Sequence, residues 1–267
     1  MKEDSAGKNM ISLLPPGMQN FFNEAGGMAS FAARFFREFL VPPYEFREII
    51  RQSFEIGYRS LPLVGLTSFI IGLVFTLQSR PTLVSFGAEA WLPAMVSVSI
   101  VREIGPVIVA LICAGKIGSS IGAELGSMKV TEQIDAMEVS GNNPFKFIVV
   151  SRIVSTTLML PVLVMLGDAI ALTGAYIAVN IAGGVSPVLF FHQVFQNVSF
   201  ADVIPSFIKS YFFGFAIGLV GGDKGYNSKK GTEGVGRSAN SAVVVGSVLV
   251  FILDLIAVQI TTFMGLF

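Results

Sequence analysis

The chain has 267 residues, of which 52% are hydrophobic and only 13% charged, with a net charge of zero and a mean hydropathy of +0.70. Soluble domains carry about 25% charged residues, so this composition excludes an ordinary soluble domain and marks an integral membrane protein. With no basic tract and no net positive charge, the electrostatic footprint of nucleic-acid binding is missing as well. The single cysteine, Cys113, lies in an apolar run; it excludes an intrachain disulfide and reads as a small buried hydrophobe.

The first twenty residues are polar, with Lys2, Glu3, Asp4 and Lys8 and no apolar h-region, so they are not read as a cleavable signal peptide. Beyond them Phe21, Met28, Phe35 and Phe39 fall on one helical stripe completed by Ala25 and Ala32, with Glu24, Arg34, Arg37 and Glu38 on other faces. That pattern predicts an amphipathic helix in the membrane interface or against the protein's own flank. Pro42 and Pro43 end it. A second amphipathic stretch follows, with Phe46, Ile50, Phe54 and Tyr58 apolar and Arg47, Glu48, Arg51 and Glu55 expected in water. Residues 1–59 are therefore read as an interfacial region and 60–267 as a membrane domain.

About 20 apolar residues are needed to cross roughly 30 Å of hydrocarbon. Five segments qualify, near 61–77, 92–125, 148–182, 203–220 and 241–263, giving an all-α membrane fold with no convincing internal repeat. The second and third have room to tilt, to protrude, or to kink at Pro106 and Pro161. Seven Lys or Arg precede the first span, three lie between or just inside spans two and three, and four lie between spans four and five, against Arg80 alone on the other side. Positive loops stay in the cytoplasm, so the N-terminus is expected inside and the C-terminus outside. The segment "SPVLFFHQVFQNVSFADV" after span three, with the only histidine, His192, is expected to be a re-entrant or surface helix on the outer side, and a lone histidine makes no metal site.

Charges within spans are costly, about 2.5–3.5 kcal/mol each at a helix centre, so Arg102, Glu103, Lys209 and Asp254 should have partners. Counted from the outer helix ends at 1.5 Å per residue, Glu103, Lys209 and Asp254 lie about 18, 10 and 15 Å deep, depths that overlap within boundary error. They are expected to form one cluster joining spans two, four and five, with Gln78 of span one able to line the same cavity. Arg102, one residue from Glu103, points about 100° away and needs another partner or a polar cavity. A structural ion-pair network that fixes helix register explains the cluster as well as a transport role does. Asp168 is expected to bond to a neighbouring backbone or hydroxyl group, Lys116 to snorkel toward water, and Gly118, Gly122 and Gly126 to offer a groove to another helix.

Between spans two and three stands "GSMKVTEQIDAMEVSG", residues 126–141, too short and polar to cross. A helix over its full length would be about 22 Å long. Val130, Ile134 and Met137 make an apolar stripe, Glu132, Asp135 and Glu138 an acidic one, and Gly126 and Gly141 bracket the segment. By the charge count it is cytoplasmic. It is either a surface loop helix or an element through which a soluble partner pushes on the membrane helices. Lys129, Glu132, Gln133, Asp135 and Glu138 are the residues such a partner would touch. A phosphate-binding loop is absent: Gly115-Lys116 precedes Ile117 rather than Ser or Thr, and Ala110 stands where the first glycine should be. Any ATP used must be hydrolysed by another chain.

The run "REIGPVIVALICAGKIGSSIGAELGSMKVTEQIDAMEVSG", residues 102–141, resembles the signature of the MlaE-type permeases, membrane subunits of ABC transporters that work with MCE-domain proteins in moving lipids. The later "GTEGVGRSANSAVVVGSVLVFILDL" is similar to that family's C-terminal pattern, whereas "GGDKGYNSKKG" departs from it. The resemblance implies that residues 126–141 are a coupling helix docking into an ATPase. It further implies a homodimer carrying two ATPases that bind ATP and Mg, with no cofactor on this chain. An MCE-domain protein would sit on the outer, periplasmic face of a bacterial inner membrane, and the intramembrane charges would lie near a lipid-holding cavity. Two readings compete with a lipid permease: a proton- or ion-coupled secondary transporter using Glu103 and Asp254, which would fail when the gradient collapses, and a membrane scaffold that tolerates joint apolar replacement of Glu103, Lys209 and Asp254.

Overall fold

The computed structural model describes residues 16–183, 186–229 and 231–265, and among them every regular element is helical. They fall into two compact units, up to Tyr44 and from Glu45 onward. The first holds α1, Pro16–Phe39, in which Phe35 and Phe39, one turn apart on the expected stripe, stack with ring centroids 5.7 Å apart. The side chain of Phe21 lies outside the described residues.

The second unit contains five helices long and apolar enough to cross a membrane: α2 (Phe46–Ser85), α3 (Glu89–Val130), α5 (Phe145–Ile181, continuing helically to Gly183), α7 (Phe200–Tyr226) and α8 (Thr232–Phe263). The short α4 (Gln133–Val139) joins α3 to α5, and α6 (Pro187–Asn197) lies between α5 and α7. At 40 and 42 residues, α2 and α3 are each about 60 Å long, twice the hydrocarbon thickness, so both extend well beyond it. The expected second amphipathic stretch is therefore the base of α2 and continuous with the first span.

Arg47 and Arg51 are exposed as expected and Glu55 is partly so; only Glu48 departs from the expectation. Phe46, Ile50, Phe54 and Tyr58 are exposed, whereas Glu48 is buried and bonded to Arg51 at 2.9 and 2.7 Å and to Gln52 at 2.9 Å. In an aqueous protein that arrangement would be costly. At a membrane interface it is the stable one, because an exposed aromatic and aliphatic stripe is favoured there while Glu48 finds its partners within the protein.

Close backbone approach organises the bundle. A Cβ on Gly72 of α2 would overlap the Ala171 carbonyl of α5, and one on Gly174 of α5 would overlap the Phe69 carbonyl of α2. Small residues of this kind let membrane helices gain dispersion energy where no hydrophobic drive exists between them. The glycine stripe of α3 serves likewise: Gly122 and Gly126 face Ser238 of α8, whose hydroxyl donates to the Gly122 carbonyl at 3.0 Å. At the α6 end, Leu92, Val96 and Ile100 of α3 pack with Ala171, Ala175 and Val179 of α5 and with Phe190 and Val194 of α6. His192 projects from α6 into an exposed position.

Two π-helical turns interrupt α3, at Ile100–Ile104 and Ala114–Gly118. The first leads into Pro106, which has no N–H to close an ordinary turn; the Gly105 N–H reaches back to the Ile100 carbonyl instead. Pro161, by contrast, lies within the uninterrupted Ser151–Gly183 helix.

Candidate functional site

The first π-turn contains both Arg102 and Glu103, and the two point to different partners. Lys209 of α7, 5% exposed, donates to Glu103 Oε2 at 2.6 Å and to Asp254 Oδ1 of α8 at 3.0 Å. One ammonium group thus ties three helices together across separations of 106 and 45 residues. Its charge-assisted bonds offset part of the cost of holding ions inside the membrane. Gln78 is exposed on α2, outside this triad.

Arg102 pairs with Asp202, at the start of α7; its Nε lies 3.0 Å from Oδ1. The other oxygen of Asp202 accepts the Ser199 backbone N–H at 2.9 Å and the Ser199 hydroxyl at 2.8 Å. One carboxylate therefore starts α7 and holds α3. Asp202 was given no role by sequence reasoning, although Ser199 followed three residues later by an acid is a helix-start signature and Arg102 needed a partner. Asp168 does not make the bond expected of it: its Oδ1 is buried without a hydrogen-bond partner, pressed against Gly105 at the end of the π-turn.

An apolar groove of about 480 Å³ runs beside the triad between α7 and α8, lined by Ile204, Ile208, Phe212, Leu253, Ile256 and Ile260, with Lys209 in its wall. Charge and apolar surface therefore meet along one side of the bundle.

At the opposite end, the polar insert is not one helix. α3 runs on to Val130 with Gly126 inside it, Thr131 closes the helix on the Ser127 carbonyl, and Glu132 takes a left-handed φ of 59° before the seven-residue α4 begins. Gly126 is held in the helix by its packing against Ser238, so a glycine that looked like a boundary serves close approach instead. Ile134 is buried and Val130 and Met137 are partly so, whereas Glu132, Gln133 and Glu138 are exposed. Gln133 donates to the Thr131 hydroxyl at 3.0 Å and Lys129 to Asp135 at 3.1 Å. Val139, 90% exposed, adds an apolar contact point at the end of α4. Of the segment departing from the family pattern, Gly221 to Tyr226 continue α7; Lys230 lies outside the described residues.

Among the described residues no group of three or more His, Cys, Asp or Glu is arranged to hold a metal. Fold and site define an all-α integral membrane protein with paired internal charges, an apolar groove beside them and a polar protrusion between its second and third crossings. The family model described as Permease MlaE matches residues 49–260, nearly the whole second unit, and the chain belongs to that permease family. It is 36% identical over 244 residues to a probable ABC transporter permease protein of Rickettsia typhi, covering 91% of this chain and 94% of the relative. It is 32% identical over 206 residues to a probable ABC transporter permease protein of Synechocystis, covering 77% and 78%. The intermembrane phospholipid transport system permease protein MlaE of Haemophilus influenzae is 32% identical over 259 residues, 94% of this chain and 97% of that one.

Proposed function

We propose that this chain is the membrane-spanning permease subunit of an ABC transporter that moves lipids, phospholipids foremost, between membranes of a bacterial envelope. The observation that carries this reading is the apolar groove of about 480 Å³ with Lys209 in its wall, acyl-compatible surface meeting a buried charge. The names of its relatives point the same way. One groove on one chain is half of a two-fold pathway, so the working unit is a homodimer in which two copies enclose the cargo. Acyl chains would lie along Ile208, Phe212 and Ile256, with the headgroup toward the triad.

The motor is on other chains. Two ATPases, holding ATP and Mg, dock on the two copies of α4 through Lys129, Glu132, Gln133, Asp135 and Glu138, and their motion passes into α3 and α5. The excess of Lys and Arg on the α4 side supports a cytoplasmic location for that side and for the N-terminus, in an inner membrane. The C-terminus and an MCE-domain partner are then periplasmic. Purification from native membranes should bring down an ATP-hydrolysing chain, and reversing Glu132 and Asp135 to Lys should release it while the permease stays folded. Lipid transfer that needs no ATP and stops when the proton gradient is collapsed would overturn the proposal in favour of a secondary transporter.

A further inference from the structure

A second cavity lies far from the triad, near the α4 end of the bundle. The base of α2 and the lower part of α3 enclose a cleft of about 290 Å³ lined by Gln52, Glu55, Arg59, Lys116, Ser120 and Glu124. Arg59 is held by Glu55 at 2.7 Å. Lys116, in the second π-turn of α3, bonds to the Arg59 carbonyl of α2, which keeps its ammonium at the cleft and leaves two further N–H donors on it. Glu124 is anchored from behind by Arg152 of α5, through contacts of 2.6 and 3.3 Å, while its side chain remains half-exposed.

Three features say what such a cleft would hold. Two acids and two bases line it, so it is neutral overall but polarised: a simple anion would meet Glu55 and Glu124, and a simple cation would meet Arg59 and Lys116. A ligand carrying both a phosphate and an ammonium group satisfies both ends. Its volume is at the small end of the range for ligand sites, enough for a headgroup and not for a diacyl lipid. Arg59 and Ser60 stand immediately before the apolar run 61–77 of α2, the position at which headgroups meet a span, and within that run Leu66 and Ile70 are exposed on the outside of the helix.

We propose that the α2–α3 cleft binds the phosphate–ammonium headgroup of an ethanolamine-type phospholipid from the leaflet on the α4 side. The phosphate sits against Arg59 and Lys116, the ammonium against Glu55 and Glu124, and the tails lie outside on the apolar face of α2. The site rests on the membrane placement given above but not on transport, and it is distinct from the groove between α7 and α8.

The full chain, reconstituted in nanodiscs of phosphatidylcholine and phosphatidylglycerol with a trace of photoactivatable phosphatidylethanolamine, is irradiated and its cross-linked peptides mapped. Labelling of residues 52–60 and 116–124 is expected, falling about tenfold in Ser120→Trp, which fills the cleft from an exposed position, and comparably in Lys116→Met, which removes a charge-assisted donor. Ser120→Trp keeps the test valid should Lys116→Met fail to fold. Unlabelled phosphatidylethanolamine should compete and added phosphatidylglycerol should not. Labelling elsewhere, labelling unaffected by Ser120→Trp, equal competition by phosphatidylglycerol, or equal competition by soluble glycerophosphoethanolamine would each overturn the proposal. Because the readout involves no ATPase and no transfer, a chain that proves to have no ATPase partner would still label if this site exists.

Discussion

The two ends of α3 handle charge in opposite ways. At Arg102 and Glu103 every ion is tied to another helix, to Asp202 and to Lys209 with Asp254, and Lys209 is almost wholly enclosed. In the insert around α4 Lys129 bonds to Asp135 and Gln133 to Thr131, near neighbours in the chain, and Glu132 and Glu138 are exposed. The difference follows from solvent. An ion left without a partner in a low-dielectric interior carries a large desolvation cost, whereas water supplies the missing partners at the surface. Charges in the first region therefore bear on whether the bundle assembles, while charges in the second can be satisfied by water and near neighbours.

Removing Lys209 should break the contrast most severely. Lys209→Ala leaves Glu103 and Asp254 facing each other and should lower stability by about 3–5 kcal/mol and abolish lipid transfer, read by thermal unfolding in detergent and by a vesicle assay. Adding Glu103→Gln and Asp254→Asn should return most of the stability. If the triple variant also transfers lipid, the triad serves only to fix the helices.

Asp202→Ala should come next, with a loss of roughly 2–4 kcal/mol, because Arg102 loses its partner and α7 its cap at once. Asp202→Asn keeps an oxygen for Ser199 and should lose visibly less, so the gap between the two variants in unfolding midpoint separates the two roles. In the insert, Ile134→Ala removes the buried anchor of α4 and should cost about 2 kcal/mol locally. Amide exchange of residues 131–140 should accelerate while the global midpoint hardly moves. Smallest in stability is the pair Glu132→Lys with Asp135→Lys, expected to change it by less than about 0.5 kcal/mol. If that pair unfolds the permease instead, the distinction between the two regions fails.

Much of this arrangement was legible from residue order. Five apolar runs, the acidic and apolar stripes of 126–141, the expectation that ions within spans need partners, and the use of Gly118, Gly122 and Gly126 for packing all follow from local composition and spacing. The extent of α4 was not legible, because Gly126 signals a helix end by frequency and a helix contact by environment, and only Ser238 decides between them. Nor was the burial of Glu48 at the base of α2, because spacing fixes the faces of one helix but not which of its residues a neighbouring helix covers.

The sequence by itself determined that the chain is a helical membrane protein, how many times it crosses and which charges would be costly, since each is a sum over neighbouring residues. Which charges meet was left to the tertiary structure. A helix fixes the direction of each side chain only relative to its own axis, and each π-turn in α3 adds a residue and so shifts that direction by about 100° for all that follows. The pairing of Arg102 with Asp202, the triad around Lys209 and the cleft between α2 and α3 exist because separate helices stop at compatible depths and rotations, and no single stretch of the chain encodes that.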